Sequence, residues 1–247
     1  MTLTETSSGA ASERLKQVRA RIAAAALRGG RSSDDVALVA VSKTHPPQML
    51  REAIAAGIAD LGENKIQEAE EKIPQVGRHV VRWHLIGHLQ SNKARKAVVL
   101  FDMIHSLDSA ALAARLDRMC DQENRPELPV LIQVDLGHER TKSGVAESEL
   151  RALVSAISEC RHLRLQGLMT LPPFFNNAEE VRPFFRKLRE LRDELHGQGA
   201  FRDAGGELSM GMTHDYEIAI EEGATIVRVG TAIFGERTQN SKLKTQN

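Results

Sequence analysis

Eight short apolar runs recur along the chain, and they constrain the fold more than any other feature. Successive runs begin about 20–40 residues apart, the length of one strand–helix unit. Their apolar residues are mostly continuous, which is typical of strands buried on both faces, as in a parallel sheet. The runs are residues 36–43, 58–64, 82–87, 103–108, 129–137, 165–172, 207–212 and 225–230. Eight such units predict an α/β fold, a single (β/α)8 TIM-type barrel.

Amphipathic stretches between the runs predict the helices. In "PPQMLREAIAAG", residues 46–57, apolar residues recur at helical spacing, with proline in the first turn and Gly57 at the end. "NAEE" from Asn177 is typical of an N-cap followed by acids. An extra helix is expected over 11–28, ahead of the first strand. The alternative, an open doubly wound sheet, often has a glycine-rich phosphate turn after its first strand, but here that turn is "SKTHPP".

The chain is expected to form one domain between two tails. Residues 1–10 are rich in Ser, Thr and Gly, so we expect a disordered N-terminal tail. Residues 11–237 form the predicted barrel domain with its extra helix. Residues 238–247 are expected to be a flexible C-terminal tail, and no shift in composition inside the chain suggests a second domain.

Charge and cysteine content exclude several classes of protein. Acidic and basic residues number 33 each, so no overall field would attract nucleic acid or an acidic membrane. Cys120 and Cys160 form no CxxC motif, and we interpret them as buried thiols rather than a disulfide or a metal site. The sequence has no signal-type segment and no apolar run of membrane length. A cytoplasmic protein, with neither nucleic acid nor membrane as a partner, is therefore predicted.

No metal site is expected. His84 and His88 have the i, i+4 spacing of zinc ligands, but Gly87 and the strand-to-loop setting remove the helical face that this spacing requires. His214 is followed by Asp215 at a predicted helix start, where aspartate fits capping better than metal ligation.

In a barrel of this kind, function lies at the carboxyl ends of the strands. The first strand ends in Lys43, in "VALVAVSK". Such a lysine can extend into solvent. If it faces the barrel interior, desolvation favours the neutral amine, which is a nucleophile toward carbonyl groups. The sequence leaves both interpretations open.

The ends of the last two strands favour a phosphate site. "SMGMT" (209–213) and "VGTAIFG" (229–235) combine small residues with hydroxyl groups, and this fold often binds phosphate there. Glycine turns alone are the alternative. Arg228, flanked by valines, must face a ligand or pair with an acid such as Asp135 or Glu63. An amine, a phosphate cradle and a strand arginine together suggest an aldehyde phosphate, and pyridoxal 5′-phosphate (PLP) is the obvious candidate.

With these motifs the sequence resembles the YggS/PROSC family of PLP homeostasis proteins over about Leu15 to Arg237. The resemblance rests on "VAVSKTHP", "GENKIQEAEEK", "WHLIGHLQSNK", "HSLD", "TKSG", "GLMTLP", "LSMGMTHDYEIAI" and "VRVGTAIFGER". The family is related to the barrel domain of alanine racemase. Lys65 stands where the family often has an aromatic residue, and Thr141 and Thr213 stand where serine is common.

The resemblance implies a set of cofactor contacts. Lys43 would hold PLP as a Schiff base, Asn64 would lie beside the cofactor, and Arg228 would face the pyridine nitrogen. Lys142 would lie near the barrel mouth. Phosphate binding is assigned to the side chain or backbone of Ser209, Gly211, Met212, Gly230 and Thr231.

The resemblance further implies a carrier that buffers or delivers PLP, with PLP-dependent apo-enzymes as possible recipients and a monomeric state. The alternative is a PLP-dependent amino-acid racemase. Racemisation needs an acid and a base on opposite faces of the substrate. In the racemases one of these is a tyrosine from a second domain, which we do not expect here because the chain ends about ten residues after "FGER". The single tyrosine, Tyr216, is expected to pack or point outward. A barrel whose Lys43 is structural and whose role is protein contact is the third hypothesis.

Overall fold

Eight parallel strands close into a barrel in chain order, and β1 pairs with both β2 and β8. The computed structural model describes residues 3–137, 143–201 and 205–235, with the backbone alone for 3–10. The strands are β1 Ala37–Val41, β2 Asp60–Glu63, β3 Arg82–Leu85, β4 Met103–Leu107, β5 Leu128–Gln133, β6 Leu163–Met169, β7 Glu207–Ser209 and β8 Ile226–Val229. Each strand lies within or overlaps one of the eight apolar runs. The predicted (β/α)8 barrel is therefore confirmed.

Helices follow the strands and cover the outside of the barrel. They are α1 Leu3–Arg28, α2 Pro47–Ala55, α3 Ile66–Val76, α4 Ala94–Leu100, α5 Ala110–Gln122, α6 Leu150–Ser158, α7 Arg182–Gly197, α8 Tyr216–Glu221 and α9 Thr231–Phe234. Two local predictions are confirmed. Gly57 follows α2 with a φ of 102°, a conformation that glycine adopts at little cost. The side chain of Asn177 accepts the N–H of Glu179 and caps the short 3-10 turn that leads into α7.

The extra helix α1 is longer than predicted. It begins at Leu3 rather than at residue 11. The division into residues 1–10, 11–237 and 238–247 stays a prediction, and residues 238–247 lie outside the described residues.

A stripe of apolar residues attaches α1 to the barrel. Leu15, Val18, Ile22, Ala25 and Ala26 are buried, and their spacing places them on one helical face. On the neighbouring face, Arg21 and Arg28 bind Glu217, and Arg28 also binds Glu221. The helix thereby packs against α8.

The barrel interior has an apolar half and a polar half. Val39, Leu131, Met169 and Ile226 form a cluster separate from the large core between strands and helices. The polar half contains buried Asp60, His84, His105, Ser209 and Arg228. A parallel strand that faces a barrel interior can carry polar side chains only if they satisfy one another, and these residues do so.

The cysteines are both free. Cys120 is buried, and burial raises the pKa of its thiol to about 11, while Cys160 is half-buried. Within residues 3–137, 143–201 and 205–235, the helices lack the combination of length and apolar character needed to cross a bilayer.

Candidate functional site

A cavity of about 280 Å3 opens at the carboxyl ends of the strands. It brings together the ends of β1, β2 and β8 with the segment after β7. Its lining residues are Val41, Lys43, Asn64, Ile86, Leu171, Met212, Thr213, His214, Arg228, Gly230 and Thr231. The cavity therefore collects an amine, a guanidinium group, an amide and two threonine hydroxyls at one end of the barrel.

Lys43 reaches the cavity because it continues the inward-facing alternation of β1. Val39 lies in the interior cluster and Val41 lines the cavity, so the residue two places later faces the same side. The Lys43 side chain is half-buried, which lies between the two interpretations that the sequence left open. The strand ends before Lys43, and the lysine occupies a turn at the rim.

Helix α3 holds the turn that carries Lys43. On one side, Nζ of Lys72 donates to the carbonyl oxygen of Ser42 at 2.8 Å. On the other, the carboxylate of Glu68 accepts the N–H of Thr44 at 2.7 Å. Thr44 has a φ of 65°, a left-handed conformation that is costly for a β-branched residue. Contacts on both sides of Lys43 fix its backbone.

Lys72 also neutralises a carboxylate below the turn. Its Nζ lies 2.8 Å from Oε1 of Glu63, and the Ser42 hydroxyl donates to the same oxygen at 2.7 Å. Burial raises the pKa of Glu63, and the charge of Lys72 opposes this. The other oxygen, Oε2, has no hydrogen-bond partner among the described residues.

Arg228 lies at the base of the cavity and is 2% exposed. Its guanidinium donates to the Ser209 hydroxyl at 2.5 Å and to the carbonyl oxygen of Thr170 at 2.9 Å. Burial lowers the pKa of Arg228 to about 10, and the charge of Asp215 opposes the shift. The acids that the sequence offered as partners have other contacts, because Glu63 binds Lys72 and Asp135 accepts the N–H of Gly137.

A buried row of polar groups continues from Arg228 into the barrel. The Ser209 hydroxyl is 2.9 Å from Nδ1 of His105, and Nε2 of His105 is 2.9 Å from Nδ1 of His84. Nε2 of His84 is 2.8 Å from Oδ1 of Asp60. Asp60 in turn binds Arg82 at 2.7 Å, at the opposite end of the barrel.

The predicted phosphate residues divide into two groups. Met212, Gly230 and Thr231 line the cavity, whereas Ser209 and Gly211 lie outside its lining. The Ser209 hydroxyl is fully buried and contacts Arg228 and His105. Gly211 has a φ of 91°, and its carbonyl oxygen accepts the N–H of Arg228. The phosphate roles of both residues stay predictions.

Threonines add hydroxyl groups where the phosphate is expected. The N–H of Gly230 donates to the Thr213 hydroxyl at 3.3 Å. Gly230 also precedes α9, whose first turn has backbone N–H groups without helical acceptors. A Cβ on Gly230 would lie 3.3 Å from the carbonyl oxygen of Val41. The ends of β1 and β8 therefore approach each other closely at Gly230.

Asn64, the remaining predicted residue, lines the cavity beside Gly87. A Cβ on Gly87 would come 2.3 Å from the carbonyl oxygen of Asn64. Lys142 lies outside the described residues. Among the residues that are described, no group of three or more His, Cys, Asp or Glu side chains could hold a metal ion.

Comparison with known proteins first identifies the class. The alanine racemase N-terminal domain family matches residues 14–238. An alanine racemase from Corynebacterium glutamicum shares the fold at 18% identity and a TM-score of 0.61, over 90% of this chain and 62% of that one. The barrel therefore belongs to this domain family by sequence and shares the fold of the racemase domain.

Closer relatives define the family within that class. The chain belongs to the family of pyridoxal phosphate homeostasis proteins. It is 45% identical to the protein of that name from Aquifex aeolicus, over 92% of this chain and 98% of the relative, and 42% identical to that from Escherichia coli K12, over 92% and 97%. PipY of Synechococcus elongatus, solved with PLP bound, is 40% identical over 91% of this chain and 100% of its own, with a TM-score of 0.79.

Proposed function

We propose that this chain binds PLP in the mouth cavity through Lys43 and serves PLP homeostasis by buffering or delivering the cofactor without catalytic turnover. The observation that carries the proposal is the shared cavity of Lys43 and Arg228, flanked by Thr213, Gly230 and Thr231. PLP, when bound, supplies an aldehyde that amines capture reversibly and a pyridine ring that can act as an electron sink.

The donor set fits the three recognisable parts of PLP. Lys43 offers a primary amine for a Schiff base with the aldehyde carbon. Arg228 offers a cation toward the ring nitrogen. The threonine hydroxyls and the backbone at Gly230 and Thr231 offer donors for the phosphate. Asn64, just after β2, completes the lining.

The character of Arg228 supports a carrier rather than an enzyme. With a pKa of about 10, this guanidinium stays protonated at neutral pH. A fixed positive charge beside the ring nitrogen disfavours its protonation, and an unprotonated ring is a weaker electron sink. Binding of the aldehyde does not need a strong sink, whereas removal of a proton from an amino acid does.

The position of Tyr216 excludes a tyrosine as the second acid–base group of the racemase alternative. Racemisation needs a second acid–base group facing the cavity. The ring of Tyr216 is buried at 1% exposure, and the guanidinium of Arg21 in α1 lies 5.4 Å from its centre. The only tyrosine of the chain therefore packs between α8 and α1, outside the lining of the cavity. Recipient apo-enzymes, a cytoplasmic location and a monomeric state remain part of the proposal.

The test is the visible absorption spectrum of the purified protein after addition of PLP. We expect a band that borohydride reduction fixes onto Lys43, as identified by peptide mass mapping. Lys43→Ala should abolish the band. Lys65→Ala is the matched control, because Lys65 is an exposed lysine at the start of α3, and it should keep the band.

Two results would contradict the proposal. If Lys43→Ala kept the same band, Lys43 would not be the residue whose amine binds the aldehyde. Turnover of an amino acid by the loaded protein, in a panel followed by chiral chromatography, would favour the racemase alternative over the carrier.

A further inference from the structure

The polar row inside the barrel links two groups of opposite charge across its full depth. We call it the Asp60–Arg228 chain, and its members are Asp60 of β2, His84 of β3, His105 of β4, Ser209 of β7 and Arg228 of β8. All five side chains are at least nine-tenths buried. Four contacts of 2.5–2.9 Å join them in sequence. The contact between His105 and Ser209 crosses the lumen between strands that are not neighbours.

The two ends determine the direction of the first and last hydrogen bonds in the chain. An arginine can only donate, and an ionised carboxylate can only accept. Burial tends to raise the pKa of Asp60, but the contacts with His84 and Arg82 outweigh it and lower the pKa. Asp60 is therefore the accepting end, and Nε2 of His84 carries the hydrogen that it accepts.

Burial, together with the nearby charge of Arg228, holds the pKa of His105 well below its usual value, so this ring is neutral. The histidines then have one arrangement in which each ring donates once and accepts once. In it, Nδ1 of His84 accepts, and the hydrogen of His105 lies on Nε2. Nδ1 of His105 accepts the Ser209 hydroxyl, which accepts from Arg228. Each group donates toward Asp60, and such aligned bonds polarise and strengthen one another.

We propose that the Asp60–Arg228 chain is a positioning device for the cofactor site: it holds the guanidinium of Arg228 at the base of the cavity through hydrogen bonds that all point toward Asp60. His105 is its central positioning residue, because it bridges the lumen and is not among the residues that line the cavity. The role toward the cofactor rests on the proposed function, whereas the direction of the chain rests on the protein alone.

The first part of the test is NMR of the ring nitrogens of His84 and His105, on the unaltered protein without added ligand. We expect His105 to be neutral at about pH 7, with its hydrogen on Nε2. A cationic His105, or a hydrogen on its Nδ1, would overturn the proposal. This measurement depends neither on the folding of a variant nor on PLP.

The second part is titration with PLP, followed by the visible band, of the unaltered protein, His105→Leu and His105→Gln. Leucine fills the space without polar groups, whereas the glutamine amide can both donate to His84 and accept from Ser209. We expect His105→Leu to weaken PLP binding about tenfold or more and His105→Gln to stay within about threefold.

The outcomes separate the two proposals. Unchanged affinity in His105→Leu, or equal loss in both variants, would overturn the positioning role. If the unaltered protein gives no band on Lys43, the proposed function fails, and the positioning role toward the cofactor falls with it. The NMR result still decides the direction of the chain.

Discussion

Nζ of Lys72 in α3 lies 2.8 Å from the carbonyl oxygen of Ser42, the residue just before Lys43. The same ammonium group lies 2.8 Å from buried Glu63 and 3.0 Å from Glu68. A side chain from the outer layer of helices therefore both neutralises a carboxylate in the core and fixes the backbone of the site. Stability and site geometry are coupled through this one residue.

Replacement of Lys72 by methionine should lower the free energy of unfolding by about 3–5 kcal/mol, because it leaves the buried carboxylate of Glu63 without its counter-charge. Urea denaturation measures the loss. The control is Lys96→Met, which removes an ion pair with Glu70 from a side chain that is 57% exposed and should cost at most about 1 kcal/mol. Similar losses of unfolding free energy in the two variants would contradict the coupling of stability and site geometry through Lys72.

Thr44→Gly should stabilise the protein. Thr44 has a φ of 65°, where a β-branched residue is strained by about 1–2 kcal/mol, and glycine recovers about half of this after its larger loss of backbone entropy. The N–H that Glu68 accepts is retained. Asn124 has a φ of 51°, but asparagine tolerates this region, so Asn124→Gly should change thermal stability less. A destabilised Thr44→Gly would show that the turn is unstrained.

Gly87→Ala should disturb the proposed cofactor site from the neighbouring strand end. The added methyl group would come 2.3 Å from the carbonyl oxygen of Asn64, so the backbone must shift, at a cost of about 1–3 kcal/mol. Titration with PLP should show weaker binding, because Asn64 lines the cavity. Gly197→Ala, where nothing lies within 4 Å of the added atom at the end of α7, should retain binding and lose no stability. Equal PLP affinity and equal stability of the two variants would argue that the contact with Gly87 does not hold Asn64 in place.

The barrel and the meeting of Lys43 with Arg228 could be predicted, because strand ends in a parallel barrel converge whatever the register of each strand. It was harder to predict which side chains of a strand face the barrel interior. In a continuous apolar run, the residues of the inward and outward faces are both apolar. A shift in strand register also changes which residues face inward. Ile104 and Leu107 both pack in the outer core although they are three residues apart, because the pairing of β4 with β5 shifts between them.

The polar row was missed for the same reason. His84 was considered as a metal ligand and Ser209 as a phosphate ligand, and His105 was given no role. The signal available was a polar residue inside each of several apolar runs, in "RWHL", "MIHSL" and "ELS", but only the closed barrel shows that these residues face one another. Lys72 gave no signal, since a lysine in an amphipathic helix is usually exposed.

Asp102 should contribute stability that depends on pH. Burial tends to raise its pKa, but Arg78, at 2.8 Å from each carboxylate oxygen, and the N–H of Trp83 outweigh this and hold the pKa below its usual value near 3.8. Because the pKa is lower in the folded than in the unfolded chain, the stabilisation is complete above the usual value and is lost as the pH falls through the folded-state pKa. Asp102→Asn should therefore cost about 1–3 kcal/mol at neutral pH.

The difference between Asp102→Asn and the unaltered protein should shrink as the pH falls below about 4, because the carboxyl group is protonated first in the unfolded chain and, at lower pH, in the native protein. Urea denaturation at a series of pH values measures this difference directly, and groups common to both proteins cancel. Asp193→Asn, at a side chain that is 58% exposed, is the surface control and should cost little at neutral pH. A difference that stays constant from neutral pH to about pH 3 would mean that Arg78 stabilises the fold by packing, as a long side chain can, rather than through the ionised carboxylate.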